Sequence, residues 1–327
     1  MPYYSQIDLH THSNKSDGEL PPAELVVKAA NSGIKVLALT DHDTISGLHD
    51  AKKAAIKENI SLISGVEFST QWDNKTIHIL GLNIDTKNKL VIKACDELKT
   101  LREMRAKKIS RALTKAGIKG SYEYVKQIAI DRSISRYHFA QFLVDNIYAK
   151  NQRDVFKKFL VKSKPGYVSM EWPKLNETIN LINTAGGIAV IAHPLRYRMT
   201  ATKLAKLINE FKKCGGSAIE VITSHNISKE VKLASSYAEK YNLAASIGSD
   251  FHAEGAFRNK LGLLPLLPKN LVPVWTSIIT SFFLALSFIT LCFAFLGINI
   301  FSFSDRFEIF SVKIFLLSYS KSCLTFI

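Results

Sequence analysis

Short runs of apolar residues, each closing on a polar or charged cluster, recur along most of the chain. Residues 6–9 lead into His10, 36–39 into Thr40-Asp41-His42, 62–66 into Glu67, 188–192 into His193, and 244–247 into Gly248-Ser249-Asp250. Residues 77–82 contain His78, and residues 218–222 follow a Gly-Gly pair. Runs this short and this rich in Ile, Val and Leu predict buried strands. Between them, apolar positions fall at helical spacing over 21–32, 47–59, 176–185, 201–214 and 228–241. Strand–helix alternation of this kind predicts an α/β fold with a mainly parallel sheet or barrel.

Residues 89–166 break the alternation. They read as helical throughout, with Leu98, Leu101, Ile109 and Leu113 near helical spacing. Within them, residues 99–119 carry eight basic residues against one acidic residue, Glu103. The pattern predicts a helical insertion, a cap over a main domain formed by 1–88 and 167–275; a solvated helix face is the alternative reading of the charge.

Residues 276–327 differ again, holding 11 of the 19 Phe, one Gly and no Pro or His. No residue from 276 to 304 is charged, a run longer than the roughly 20 apolar residues that a membrane span requires. Three readings compete: a C-terminal anchor with Arg258, Lys260 and Lys269 on its cytoplasmic side, an out-of-frame extension, or a buried apolar helix. The last is disfavoured because no amphipathic face is visible.

A net charge of +15 over 327 residues favours a polyanionic partner such as a nucleotide, RNA or anionic lipid. Cys95, Cys214, Cys292 and Cys323 are widely spaced, which argues against a disulfide framework or a thiolate zinc site and suits a reducing compartment. The N-terminal residues lack the basic and apolar regions of a secretory signal. A cytoplasmic protein is expected, with attachment to the membrane's cytoplasmic face through 276–304 as the alternative. No protein partner is inferred.

The chemistry lies in the clusters that close the strands. His10 and His12, two apart on a strand, point to the same side and can meet one ion. Asp17 follows in a polar loop, and His42, Glu67, His78, His193, Asp250 and His252 fall at the other clusters. Catalytic groups in barrel-like α/β domains gather at the carboxyl ends of parallel strands. One histidine alone would more often be a satisfied core or surface residue; six of nine at such positions form a constellation. Nitrogen and oxygen donors without thiolates suit Mn²⁺, Zn²⁺ or Fe²⁺. Nine ligands exceed the needs of one ion and imply two or three. Clustered divalent ions make hydroxide at neutral pH, neutralise a phosphate and clamp the attacking and leaving oxygens.

The segments HTH, TDHDT, GVE, IHILGLNID, AHP and GSDFH resemble the PHP (polymerase and histidinol phosphatase) family of metal-dependent phosphoesterases, in order over about residues 5–275. Segments SRYHFAQFLV, DVFKKFLVKSKPGYV and AHPLRY are similar to the branch acting on nucleoside 3′,5′-bisphosphates and RNA 5′ ends. The resemblance implies a distorted (β/α)7 barrel with a helical insertion. It implies one ion on His10, His12, Glu67 and Asp250, a second on Glu67, His78 and His193, and a third on Asp17, His42 and His252. Mn²⁺ is the first choice, and Asp17 stands where many members carry histidine. Glu67, Asp250 and His193 would be the central catalytic residues. Arg136, His138 and Arg196 would bind substrate phosphate, with surface ion pairing as the plainer reading of the arginines. Lys157, Lys158 and Lys162 would hold an RNA backbone. Asp41 and Asp43 are expected to orient ligands or loops from behind, while His49 and His225 are read as structural. Other substrates within the family, histidinol phosphate or a DNA end, remain alternatives, as does a non-catalytic, metal-containing scaffold that binds RNA or is tethered to a membrane.

Overall fold

A computed structural model of the chain describes residues 5–224, 227–254 and 260–278. Seven strands make one sheet in sequence order: β1 (Ile7–Thr11), β2 (Val36–Leu39), β3 (Ser61–Trp72), β4 (Lys75–Leu82), β5 (Ile188–Ile191), β6 (Ala218–Thr223) and β7 (Ala244–Gly248). The ring comes close to closing where the chain after β7 meets β1. There the Asp250 N–H donates to His10 O at 2.8 Å, the His12 N–H to Phe251 O at 2.9 Å, and the Ser249 N–H to Asp8 Oδ1 at 2.8 Å. The result is a mixed α/β structure around a nearly closed seven-stranded barrel.

Two details depart from the sequence expectation. β3 does not stop at Glu67 but runs on to Trp72. β4 pairs antiparallel with both β3 and β5, whereas the other neighbouring strands pair in parallel. The cause is local. Asp73 and Asn74, at φ 46° and 58°, make a two-residue turn with both residues left-handed, and such a turn forms a hairpin rather than a crossover. His78 therefore lies towards the amino end of a reversed strand, opposite Ser69, on the same rim as the carboxyl ends of the others.

Helices fill most connections. They are α1 (Pro22–Asn31), α2 (Leu48–Lys57), α3 (Lys89–Lys115), α4 (Ser121–Ile128), α5 (Arg136–Asp145), α6 (Gln152–Val155), α7 (Leu175–Thr184), α8 (Ala201–Lys213) and α9 (Ser228–Lys240). Leu25, Val26 and Ala29 of α1 and Ala51, Ala54 and Ala55 of α2 pack with Leu37 and Leu39 of β2. Between β4 and β5, α3 to α6 and the helical turn that follows α6 share a second core of Ala106, Ile109, Leu113, Val125, Phe139, Leu143, Val155 and Leu160. Burying apolar area of this kind is the main stabilising term in each layer. By contact, residues 1–272 form one compact unit, and Pro273 opens a second.

α5 ends in a six-residue closing loop: Ile147 N donates to Val144 O at 2.9 Å and Tyr148 N to Leu143 O at 2.9 Å. This geometry needs a left-handed residue after the cap, a place that glycine fills without strain. Here Ile147 occupies it at φ 63° and is 91% exposed. Replacing Ile147 with Gly is expected to stabilise the fold by about 1 kcal/mol, because the β-carbon clash disappears and little packing is lost. A higher urea midpoint at unchanged slope would show this; an unchanged or lower midpoint would contradict it.

Among the described residues no helix is long and apolar enough to cross a membrane. The uncharged run over 276–304 lies outside the described residues from 279 onward, as does His225.

Candidate metal centre

Each side chain of the cluster arrives from a different part of the rim. His10 lies on β1 and His12 just beyond it, Asp17 in the following loop, and His42 after β2. Glu67 lies inside β3 and His78 on β4; His193 follows β5, while Asp250 and His252 follow β7. Three of the residues around the site have left-handed backbones: Asp43 at φ 54°, His193 at φ 30° and Asp250 at φ 53°. Non-glycine residues hold such conformations only where the surroundings enforce them.

Glu67 is the hub and is fully buried. Its Oε2 lies 3.2 Å from His10 Nε2, 3.2 Å from His12 Nε2 and 3.0 Å from His42 Nδ1. Its Oε1 lies 2.8 Å from His78 Nδ1 and 2.9 Å from His193 Nε2. One carboxylate thus faces two groups of imidazoles with its two oxygens. Asp250 Oδ1 is 3.3 Å from His10 Nε2 and 3.1 Å from His12 Nε2, and Asp17 Oδ1 is 3.3 Å from His252 Nε2. Donor atoms lie within 4.8 Å of one another in three overlapping sets: His10, His12, Glu67 and Asp250; His12, Asp17, His42 and His252; His42, Glu67 and His78. The first is the grouping the resemblance implied. In the other two, His42 stands in the set expected to contain His193, and His12 joins Asp17, His42 and His252.

The arrangement suits cations and little else. Among the described residues, Glu67 Oε2, Asp17 Oδ1, His12 Nδ1, His42 Nδ1 and His193 Nδ1 are buried without an aligned hydrogen-bond partner. The His12 and His252 rings stack 4.2 Å apart, and the His12 and His42 rings 4.7 Å apart. Buried polar atoms left unpaired are costly, and basic nitrogens crowded around carboxylates gain most from a shared metal ion. The residues therefore fit divalent ions with nitrogen and oxygen ligands.

Without ions, protons take up part of that role. Burial alone would depress His10 and His12, but the neighbouring carboxylates outweigh it. Glu220, Glu67 and Asp250 hold His10 well above the ordinary imidazole range, and Asp250 and Glu67 raise His12 to about 10. Burial wins at His42, which falls to about 4 despite Glu67 and Asp17. Conversely, burial would raise Glu67, Asp17 and Asp250, yet the surrounding cationic groups hold all three well below the usual carboxylate range. A ligand imidazole must shed its proton to bind an ion. Metal loading near neutral pH should release protons, and affinity should keep tightening as the pH rises towards about 10, where His12 sheds its proton in the metal-free protein. Calorimetry in buffers of unlike ionisation enthalpy reads this directly; identical heats in all buffers would contradict it.

Behind the ligands stands a layer that the sequence reading only partly anticipated. Asp41 accepts from Ser13 N at 2.7 Å, Ser13 Oγ at 2.6 Å and Ser16 Oγ at 2.7 Å, tying down the loop that carries Asp17. Asp43 accepts from Ser69 N at 2.6 Å and from Arg102 Nε at 2.6 Å. Arg102, buried on α3, was not foreseen. Neither was Glu220, a fully buried acid within the apolar strand β6. Its Oε1 lies 2.8 Å from His10 Nδ1 and its Oε2 accepts the His193 N–H at 2.5 Å. A carboxylate on the far ring nitrogen orients an imidazole for its ion. Gly248 makes room for both: a β-carbon there would lie 2.2 Å from His10 Cβ and 2.8 Å from Glu220 Oε1. A lone acid inside an apolar strand was the available signal, since such a group stays buried only when paired.

The residues expected to hold phosphate fall in different settings. Arg196 Nη1 donates to Asp250 Oδ2, which brings it to the cluster itself. His138 Nδ1 accepts the Ser135 N–H at 3.1 Å and caps α5; burial lowers it to about 4, so the ring is neutral at pH 7. Arg136, on the first turn of α5, lies with its guanidinium 5.8 Å from the centre of the Phe156 ring. Arg105, on α3, was also missed. Its guanidinium lies 5.6 Å from the centre of Trp172, and its Nε is buried without a partner among the described residues. Burial, then Arg136 and Arg102, hold Arg105 well below its ordinary value. Lys157, Lys158 and Lys162 are exposed, and Lys158 pairs with Asp154 at 2.8 Å. His49 is exposed on α2, outside the cluster.

A barrel whose rim gathers imidazoles and carboxylates suited to metal binding, with arginines beside them, has the equipment of a metal-dependent phosphoesterase. The chain belongs to the PHP-domain family, whose model matches residues 8–232. It is 41% identical over 268 residues to a 5′-3′ exoribonuclease of Haemophilus influenzae, covering 82% of this chain and 97% of that protein. It is likewise 41% identical over 273 residues to a 3′,5′-nucleoside bisphosphate phosphatase of Chromobacterium violaceum, covering 83% and 95%. Among solved structures it is similar to an amidohydrolase from Chromobacterium violaceum, determined with bound sulfate and no metal. The TM-score is 0.80 at 39% identity, covering 84% of this chain and 96% of that one.

Proposed function

We propose that this protein hydrolyses phosphate esters of nucleoside 3′,5′-bisphosphates and at the 5′ ends of short RNA, using two or three divalent ions, Mn²⁺ first and Zn²⁺ or Fe²⁺ as alternatives. The observation that carries the reading is the three overlapping donor sets, two of them holding Glu67, together with the poorly neutralised arginines Arg105 and Arg136. The names of the two relatives support the substrate class. So does the sulfate in the similar structure, an anion with phosphate's shape.

His10, His12, Glu67 and Asp250 would hold one ion, with Glu67 turning its second oxygen to the next. His42, His78 and His193 surround that second position, and Asp17 and His252, with His12 and His42, surround a third. When bound, such ions acidify water and neutralise phosphoryl oxygens. The protein's own groups do the rest. Glu67 and Asp250 remain ionised through neutral pH, and Glu220 keeps the His10 Nε2 lone pair turned inward. Arg105 and Arg136 present guanidinium forks to a phosphate, and neutral His138 retains an Nε2–H to donate. The helices over 89–166 act in this reading as a cap that brings those groups to the barrel, and the cytoplasm is the expected place of work.

The test is phosphate release from adenosine 3′,5′-bisphosphate by the purified full chain with and without added Mn²⁺, alongside 5′-phosphorylated RNA and histidinol phosphate. Metal-dependent release from the first two is expected. Turnover of histidinol phosphate alone, or RNA binding without turnover of any ester, would overturn the reading.

A further inference from the structure

Residues 89–166 contain 19 Lys and Arg against seven Asp and Glu, a balance of +12 within a chain whose total is +15. Along α3 these charges follow a rule. Arg102, Arg105, Lys108 and Arg111 are each three residues apart, and Lys115 follows four later. Residues three and four apart are surface neighbours on a helix. A step of three shifts a side chain by about 60° around the axis, so the row winds as it climbs. Arg102 is buried and bound to Asp43 beside the metal centre, Arg105 is half-buried with a free Nε among the described residues, and Lys108, Arg111 and Lys115 are exposed. The row thus leads from the centre to solvent over roughly 20 Å of helix.

Structure alone does not call for these charges. Like charges at this spacing repel, and among the described residues no carboxylate lies within ion-pair distance of Lys108, Arg111 or Lys115. Glu103, the single acid in this stretch, is taken by the Tyr122 hydroxyl and lies 3.9 Å from Lys126. The helix dipole accounts for a cation in the last turn, Lys115, but not for Lys108. A membrane-surface helix would need its apolar side free; here Ala106, Ile109 and Leu113 are buried in the cap's own core.

We infer that Lys108, Arg111 and Lys115 form a track for single-stranded RNA, holding the phosphates that follow the one seated at the metal centre. The direction of the strand rests on the function proposed above; the existence of the track does not. Spaced cations along a surface are how proteins follow a nucleic-acid backbone, and the affinity so gained falls with salt.

The test compares the full chain with its Lys108→Gln/Arg111→Gln/Lys115→Gln variant. Binding of a labelled, 5′-phosphorylated single strand of about ten nucleotides is followed by anisotropy across a salt series in EDTA. Turnover of adenosine 3′,5′-bisphosphate in Mn²⁺ is measured in parallel. The variant should bind RNA about tenfold more weakly or worse, with a salt slope shallower by roughly 2, since each lost contact on a single strand removes about 0.7. Bisphosphate turnover should stay unchanged. Equal RNA affinity and slope in both proteins would overturn the track, as would a matching loss of bisphosphate turnover. Stronger row-dependent binding to vesicles of anionic lipid than to RNA would overturn it in favour of a membrane. RNA binding that depends on the row, without turnover of either ester, would uphold the track while removing the proposed activity.

Discussion

Glu67→Gln is expected to lower turnover by at least about a thousandfold and to strip bound metal, while leaving the barrel folded. The substitution keeps the shape of the side chain and removes the one charge that five imidazoles share. Two of the three donor sets contain Glu67, so one loses its only carboxylate and the other is left with Asp250 alone. The metal-free protein should also suffer. Its carboxyl sits well below the ordinary value, so its contribution to stability is present above that ordinary value and is lost only as the pH falls through the depressed one. At neutral pH the glutamine variant lacks that contribution in full. Metal content by atomic spectroscopy, turnover, and far-ultraviolet circular dichroism together decide it. Normal metal content with normal turnover would remove Glu67 from the centre.

The second large effect concerns a residue outside every donor set. Glu220→Gln should weaken metal affinity or activity by about 10- to 100-fold, the usual consequence of losing a carboxylate behind a ligand histidine. Glu220 accepts from the His10 ring on one side and from the His193 backbone on the other. Glutamine retains one acceptor oxygen and offers an amide to the other position, where an N–H already points. A Mn²⁺ titration of the variant reads the loss, and rescue of turnover at high Mn²⁺ would mark the residue as positioning. Unchanged affinity would show that Gly248 and the strand hold His10 without it.

Much of the centre was legible because the chain places its chemistry at punctuation points. His10-Thr11-His12 works through the two-residue period of a strand, and Asp250 and His252 stand in the polar cluster that closes β7. What escaped had no period. Glu220 lies among Ala218, Ile219, Val221 and Ile222, where only the cost of burying a lone acid marks it. Arg102 and Arg105 were counted among the basic residues of a helix face, and only tertiary packing separates Arg102, bound to Asp43, from exposed Lys99. The reversal of β4 was encoded in Asp73-Asn74, since two residues tolerant of positive φ between apolar strands make a hairpin. The sharing of His12 and His42 between donor sets follows from distances that spacing along the chain does not fix.

The nearly closed ring has a further consequence for how the molecule assembles and comes apart. β3 and β4 join residues as close as Trp72 and Lys75, whereas the seam between β1 and the end of β7 joins residues 241 apart. Local pairings form readily, and distant ones wait until the intervening chain has been ordered. His10 and His12 stand on one side of that seam, Asp250 and His252 on the other. Ions seated among them would bind only the closed ring and stabilise it by mass action. They would serve as its clasp. Chelation should therefore speed amide exchange in β1 and β7 well before it does so in the β3–β4 hairpin.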